Sequence, residues 1–496
     1  MTPVAADIEV YPTSYCNVFF AIFSKICERI SMMNRKLSFS LIFFIIQIVV
    51  WSQDKNLIIN EIEITGNRIT KEKIILRELT FQKGDTIPGD SFESLISRSR
   101  ENILNTSIFN YVTITESTES TDLVTIIISV EERWYTWPSV ILVYDDRNFS
   151  AWLKSKDFSK TKYGLSLDRF NAFGRRENLR ASFLFGYARQ FSASYKNIAL
   201  DKNRKHFVGG DIEFIAQDEI IYATKENKPV TFNNDFKSAY DREKFTINYL
   251  FRPDIINYHN FYLNYFKYNI ADTIIKLNPD FLGSNRNRFD CFTLDYVFSN
   301  DRRDIHAYPL RGSYFGLLIG QTLAKPFSKE PFSSTIIYPS FYKYMEINSK
   351  LFYAAGINIK LSYTNINSFI YSRSIGYKLN MHGFEYNTIE GQHFIILNNL
   401  LKFAVLKQRV TKISVIPFDK FNKIHYALYF NLFTDCGYVS NKYSTPDNDY
   451  ANRFLYSGGV GFDLVTYYDR TFRIEYSING SGIAGFYFHL TAPLNK

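Results

Sequence analysis

Residues 138–496 alternate apolar and polar positions in short runs. Between 471 and 478, Phe472, Ile474, Tyr476 and Ile478 fall on one side, and Thr471, Arg473, Glu475 and Ser477 on the other. Successive side chains of a strand point to opposite faces, so this segment reads as a strand with one apolar and one polar face. Leu179, Ala181, Phe183, Phe185 and Tyr187 repeat the pattern, as do Ile424, Tyr426, Leu428, Phe430 and Leu432. No long helical period interrupts it. A sheet this long, apolar on one face and polar on the other, suits a barrel in lipid around a wet lumen. Periodicity alone allows about twelve to eighteen strands. The polar, Pro-containing stretches 222–241 and 321–335, and also 438–453, are expected as long loops.

Residues 56–133 follow a different pattern. A strand over 57–64 closes on Thr65-Gly66-Asn67, and Thr70 is placed to cap a helix over 71–79. Turns are expected at Lys83-Gly84-Asp85 and Pro88-Gly89-Asp90. A second helix over 91–104 would bury Phe92, Leu95, Ile96, Ile103 and Leu104. Strands over 109–116 and 123–131 complete a β-α-α-β-β order, a small α+β domain. Upstream, residues 33–52 hold a basic start (Arg35, Lys36), an apolar run over 37–50 and a Val50-Trp51-Ser52 cleavage triplet. They read as a signal peptide, and residues 1–32 as an upstream extension from a misplaced start or as part of a long leader.

Composition refines this picture in three places. Aromatic residues make up 17%, with 36 Tyr and 46 Phe. Tyrosine suits a membrane interface, although an AT-rich genome would also enrich Phe and Tyr. The mean hydropathy of −0.18 resembles that of a soluble protein, as it does in barrels, whose lumen and loops are polar. The net charge of +9 is spread along the chain, with no basic run interleaved with aromatics, so no nucleic-acid partner is expected. A solvated surface, or contact with anionic lipid headgroups, is the better reading. Cys291 and Cys436 read as isolated thiols, and no metal-ligand spacing, cofactor motif or catalytic motif is present.

Ile62-to-Thr70 (IEITGNRIT), KGDTI at 83–87, LNTSIFNYVTI at 104–114 and VTIIISVEER at 124–133 resemble a POTRA domain, a periplasmic polypeptide-binding module. Five later stretches, in order, resemble the barrel of the BamA/TamA outer-membrane superfamily. The first is 167–187, with Asn171, Phe173 and Gly174 in a turn. Then come 299–315 (Arg303, Asp304, Pro309, Arg311, Gly312), 381–394, 432–440, where a strand would end on Asp435 and Gly437, and the glycine-rich pair 458–478. The resemblance implies about sixteen strands and a sixth outer loop folded into the lumen through an Arg-Gly-aromatic tip. Here that tip reads His382-Gly383-Phe384, and the resemblance makes Asp435 and Glu475 its lumen partners. Histidine is uncharged much of the time near neutral pH. The implied anchor is therefore weaker or pH-sensitive, or another cation such as Arg373 replaces it.

The resemblance also implies a seam between a first strand within 139–147 and a last strand within 483–490. Gly485, Phe488 and Leu490 stand at the spacing of an outer-membrane targeting signal, and six residues follow instead of a terminal aromatic. The implied function is assembly or insertion of outer-membrane proteins in a Gram-negative bacterium, with the POTRA-like domain in the periplasm and more an accessory than a central factor. The implied partners are unfolded outer-membrane or secreted polypeptides, outer-membrane lipids and accessory lipoproteins. A polypeptide-secretion pore or plain channel is the alternative, made less favourable by room for one POTRA-like domain.

Overall fold

The computed structural model describes residues 56–118, 122–144, 160–234, 237–324, 331–377, 379, 381–415, 417, 419–443, 445–466 and 468–490. The expected signal peptide, the extension before it and the residues after 490 lie outside the described residues.

The N-terminal unit runs β1 (Asn56–Thr65), α1 (Glu72–Leu76), β2 (Thr86–Pro88), α2 (Gly89–Leu104), β3 (Phe109–Thr118) and β4 (Leu123–Glu132). Its sheet has the order β2-β1-β4-β3, with β1 and β4 parallel. Ile59, Ile75, Ile103, Phe109, Ile126 and Ile128 form the heart of its core. Three details differ from the sequence reading. Helix α1 has five residues instead of nine. Thr70 does not cap it: Lys71 takes that position, and the Thr70 hydroxyl donates to Glu132 Oε1 at 2.7 Å. The expected turn at 88–90 is instead the end of β2 running straight into α2. Gly66 does close β1: its φ is +86°, and a Cβ there would lie 2.0 Å from the Val130 carbonyl oxygen.

Among the described residues, the strands that follow form one sheet of sixteen and one separate hairpin. In chain order they begin β5 (Thr136–Tyr144), β6 (Thr161–Ala172), β7 (Glu177–Gly186), β8 (Ala188–Ala199) and β9 (His206–Gln217). A separate hairpin, β10 (Glu219–Lys225) and β11 (Lys228–Asn233), interrupts them. The barrel resumes with β12 (Tyr240–Phe251), β13 (Asn257–Ile270), β14 (Arg288–Asp301), β15 (Gly312–Ala324), β16 (Ser333–Asn348) and β17 (Leu351–Thr364). It finishes with β18 (His393–Lys412), β19 (Lys423–Ser440), β20 (Phe454–Thr466), β21 (Arg470–Asn479) and β22 (Ala484–His489). Every strand pairs antiparallel with its neighbour.

The alternation sets which face is which. On β21, Phe472, Ile474, Tyr476 and Ile478 are 43–51% exposed on the outside, whereas Thr471, Arg473, Glu475 and Ser477 are at most 1% exposed on the inside. A water-soluble protein would place these residues the other way round. An outward apolar band with a polar interior is the arrangement that lipid requires. No helix among the described residues is long and apolar enough to cross a membrane. His206, Tyr249, Phe251, His259, Tyr296 and Phe298 form a run of ring contacts on the outer face near the N-terminal unit. This is the position of an interfacial aromatic girdle.

Among the described residues, β5 and β22 are the two ends of the sheet, and no ladder joins them. The last strand has six residues against nine in β5. It lies within the expected 483–490, whereas β5 begins at Thr136, three residues before the expected stretch 139–147.

The expected loop 222–241 is largely the β10–β11 hairpin. Its turn places Glu226 and Asn227 at φ +51° and +56°, the conformation of a tight two-residue hairpin turn. The hairpin, helix α3 (Asp272–Leu277), Phe281 and the short helix α4 (Phe369–Ser372) pack into an apolar cap at the rim far from the N-terminal unit. The other two expected loops are shorter than read, because β15, β16 and β19 run into them. That extension of β19 also leaves Asp435 and Gly437 inside the strand, which ends at Ser440.

The N-terminal unit docks on the turns of the near rim. Lys71 N donates to Gly174 O at 3.0 Å, and Gly174, at φ +67°, leaves no room for a Cβ against the Ile69 carbonyl. Glu78, buried beside α1, accepts both guanidinium nitrogens of Arg252 at 2.6 and 2.7 Å. Arg77 and Arg176 stand within 4.0 and 3.5 Å of the same carboxylate. Burial alone would raise the Glu78 pKa, but the Arg252 guanidinium beside it holds the carboxyl below its usual range.

Candidate functional site

The interior between the cap and the near rim is filled from both ends. From the far rim, the loop joining β17 to β18 (residues 365–392) turns down into the lumen. It brings the expected tip with it: His382 and Phe384 are buried, and Gly383 has φ +79°. Asp435 projects inward from β19. His382 Nδ1 donates to its Oδ2 at 2.7 Å, and the His382 backbone N–H donates to the same oxygen at 3.1 Å. Glu475 Oε2 on β21 lies 3.6 Å from His382 Nε2. The imidazole stacks on Phe433, with ring centroids 4.2 Å apart. The glycine-rich start of β20 makes room for this stack. Gly459 is paired with Phe433, and a Cβ on it would meet the Phe433 ring at 2.6 Å. Asn479 Nδ2 donates to Gly383 O at 2.8 Å, tying the tip to the end of β21.

Burial opposes charge on His382, but Asp435 and Glu475 outweigh it and push the imidazole up to about 9. It is therefore a cation near neutral pH, not the mostly neutral group that histidine's ordinary pKa suggests. Arg373 does not take its place. Its guanidinium lies over Phe369 and Tyr377 and donates to Ile221 O at 3.1 Å, in the far-rim cap.

From the near rim, the turn joining β14 to β15 (residues 302–311) reaches upward. This stretch holds Arg303, Asp304, Pro309 and Arg311, and Gly312 follows it. Arg303 forks onto Asp301, with Nε at 2.9 Å and Nη2 at 2.7 Å. Asp304 accepts the Leu310 backbone N–H at 3.1 Å, folding the turn on itself. Arg311 reaches Glu101 of α2 at 3.2 Å, and Gly312 opens β15 at φ +98°. The turn is thus held on the N-terminal unit, where Asn105 Nδ2 also donates to Asp304 O at 2.8 Å.

Inside this turn, Tyr308 is buried and donates from its hydroxyl to Asp463 Oδ2 at 2.7 Å. Asp463, on β20, takes both arms of Arg473 on β21, at 2.5 and 2.7 Å. Lys402 Nζ stands 3.9 Å from the centre of the Tyr308 ring and donates to Pro309 O at 3.3 Å. Arg473 Nη1 lies 3.5 Å from His382 Nε2. The two anchors thus meet in the lumen: Glu475, on β21 with Arg473, lies 3.6 Å from the His382 imidazole of the far-rim loop, and Arg473 is bound through Asp463 to a near-rim turn that touches the N-terminal unit.

The sequence reading misses Tyr308, Lys402, Asp463, Glu385, Tyr487 and His489. For Lys402 and Asp463 a signal existed, a charge on the inward phase of an alternating strand. For Tyr308 there was none, because a turn has no period. The expected targeting residues do not share a face: Leu490 is exposed and Phe488 partly exposed on the outward phase, while Gly485 lies on the inward phase with Tyr487 and His489. A cavity of about 220 Å³ beside the loop tip is lined by Tyr338, Tyr342, Asn358, His382, Glu385 and His489 among others.

Residues 57–133 match the POTRA family, described as the surface antigen variable number repeat. No curated protein matches the chain by sequence. Among solved structures, BamA from Haemophilus ducreyi lacking POTRA domains 1–3 is similar at a TM-score of 0.50 and 16% identity, over 87% of this chain and 84% of that one. CdiB from Escherichia coli is similar at a TM-score of 0.49 and 11% identity, over 87% and 75%. At these identities the likeness to BamA establishes the fold.

Proposed function

We infer, for a chain that joins one POTRA domain to a sixteen-stranded barrel of the BamA fold, that it works as an outer-membrane protein assembly factor. The POTRA domain receives unfolded polypeptide from the periplasm, and the barrel inserts it sideways through the seam between β5 and β22. One observation carries this reading: the lumen is occupied from both ends while, among the described residues, the seam has no ladder. Unpaired strand edges offer a row of backbone donors and acceptors that an incoming strand can join. In the POTRA domain β3 offers a second edge, ten residues long, with β4 on its other side. The clients are unfolded outer-membrane polypeptides, and outer-membrane lipid surrounds the apolar band.

Liposomes carrying the full chain test this reading. An unfolded client barrel is expected to insert faster than into empty liposomes. Transport of a soluble polypeptide into the liposome lumen without client insertion would replace assembly with secretion.

His382, Gly383 and Phe384, with Asp435 and Glu475, act in this proposal as the anchor that keeps the loop in the lumen. Truncating His382 to alanine leaves Asp435 without its charged partner, a loss of about 1–3 kcal/mol. In planar bilayers His382→Ala is expected to open more often and to larger conductance than wild type. His382→Arg, which supplies a permanent cation, is expected to stay closed. Equal conductance of His382→Ala and wild type would remove the anchor role.

A further inference from the structure

Glu385, Glu475 and His489 converge from three separate elements: the lumen loop, β21 and the last strand. One ligand atom from each lies within 4.8 Å of the other two. His489 Nε2 is 3.3 Å from Glu475 Oε1 and 3.8 Å from Glu385 Oε1. Glu475 is 1% exposed, and its carboxylate oxygens meet His489 and His382 only as ion-pair contacts at 3.3 and 3.6 Å, without a well-aligned hydrogen bond. Buried carboxylates normally have such bonds, because desolvation of a charge is costly without them.

Glu385, 1% exposed like Glu475, brings a second carboxylate to within 3.8 Å of His489 Nε2. The cavity of about 220 Å³ borders both Glu385 and His489, so an ion and its water ligands have room to reach them.

We propose that Glu385, Glu475 and His489 bind one divalent first-row transition-metal ion, of which Zn2+ is the probe. One imidazole nitrogen and two carboxylate oxygens are a donor set this class of ion accepts, whereas Ca2+ needs six to eight oxygens. Metal–ligand bonds of about 2.0–2.2 Å place tetrahedral donors roughly 3.3 Å apart, so the pair at 3.3 Å already fits and the other atoms close in on binding. Water from the cavity fills the remaining position. The bound ion staples the lumen loop to the last strand, directly beside the seam. Tyr386, next to Glu385, already rests on Tyr487 of that strand, with ring centroids 5.0 Å apart.

The test is metal binding by the purified full chain, independent of any transport activity. After chelator treatment the wild type is titrated with Co2+, and Zn2+ is then used to displace it. About one equivalent of Co2+ with a visible d–d spectrum is expected. Glu385→Gln and His489→Ala should each weaken binding tenfold or more, while His206→Ala on the outer face leaves it unchanged. Retained heat-modifiable gel mobility shows that each variant is folded. Should His489→Ala not fold, Glu385→Gln, on a loop outside the ladder, decides the question. No stoichiometric binding by the wild type, or wild-type affinity in the folded variants, overturns the site.

Discussion

Arg473→Ala should destabilise the barrel by about 3–5 kcal/mol, the cost of removing one partner from a buried ion pair. Arg473 and Asp463 are both fully shielded, and their fork is made at 2.5 and 2.7 Å. Without the guanidinium, Asp463 retains only the Tyr308 hydroxyl and the more distant Lys402 as compensation. Urea unfolding of the folded barrel in vesicles, followed by gel mobility, measures the loss. The paired variant Arg473→Leu with Asp463→Leu is expected to recover much of it, since an apolar pair leaves no unmatched buried charge. Tyr308→Phe should cost far less, about 1 kcal/mol, because it removes one hydrogen bond. If Arg473→Ala unfolds at the wild-type urea concentration, the Arg473–Asp463 pair in the lumen is not a structural axis.

The second large effect lies where the POTRA domain meets the barrel. Glu78→Ala would leave Arg252, 3% exposed, facing Arg77 and Arg176 with no carboxylate between them. A cost of about 3–5 kcal/mol is expected, expressed as undocking of the POTRA domain. Limited proteolysis between the two units should then be faster than in wild type. The same contact has a pH signature. The Glu78 carboxyl is held below its unfolded value of 4.5 in the docked state, so its stabilisation is complete above that pH. It is lost as pH falls through the depressed value. Docking should be unchanged from pH 8 to pH 5 and weaken only in stronger acid. Proteolysis that speeds up between pH 8 and pH 6 would assign the contact to another group.

The barrel itself was legible in the sequence because lipid leaves no alternative. Outward positions on β21 within the lipid band had to be apolar, and Phe472, Ile474, Tyr476 and Ile478 repeat that requirement at each second residue, with Arg470 taking the outward phase only at the strand's end. The loop tip at 382–384 and its neighbours Asp435 and Glu475 were legible only through resemblance. The charge of His382 was not, because it depends on two carboxylates that meet it in space. Thr70 shows the reverse failure: it carries a capping signal, but its hydroxyl goes to Glu132, and Asn171 of the barrel donates to it at 2.8 Å. The β10–β11 hairpin was hidden because its strands are short and pair with each other, outside the barrel's alternation. Tyr308 was hidden because nothing local distinguishes a turn that points into a lumen from one that points into water.

Lateral insertion and passage through the lumen differ in the route a client takes. A photo-activated cross-linking residue placed at Leu142 on β5 or Phe486 on β22 reports the seam. The same residue at Tyr342 or Asn358 reports the lumen wall. With a client arrested during insertion, cross-links are expected from the two seam positions and not from the two lumen positions. Cross-links from Tyr342 and Asn358 with none from the seam would contradict lateral insertion and make the lumen the path.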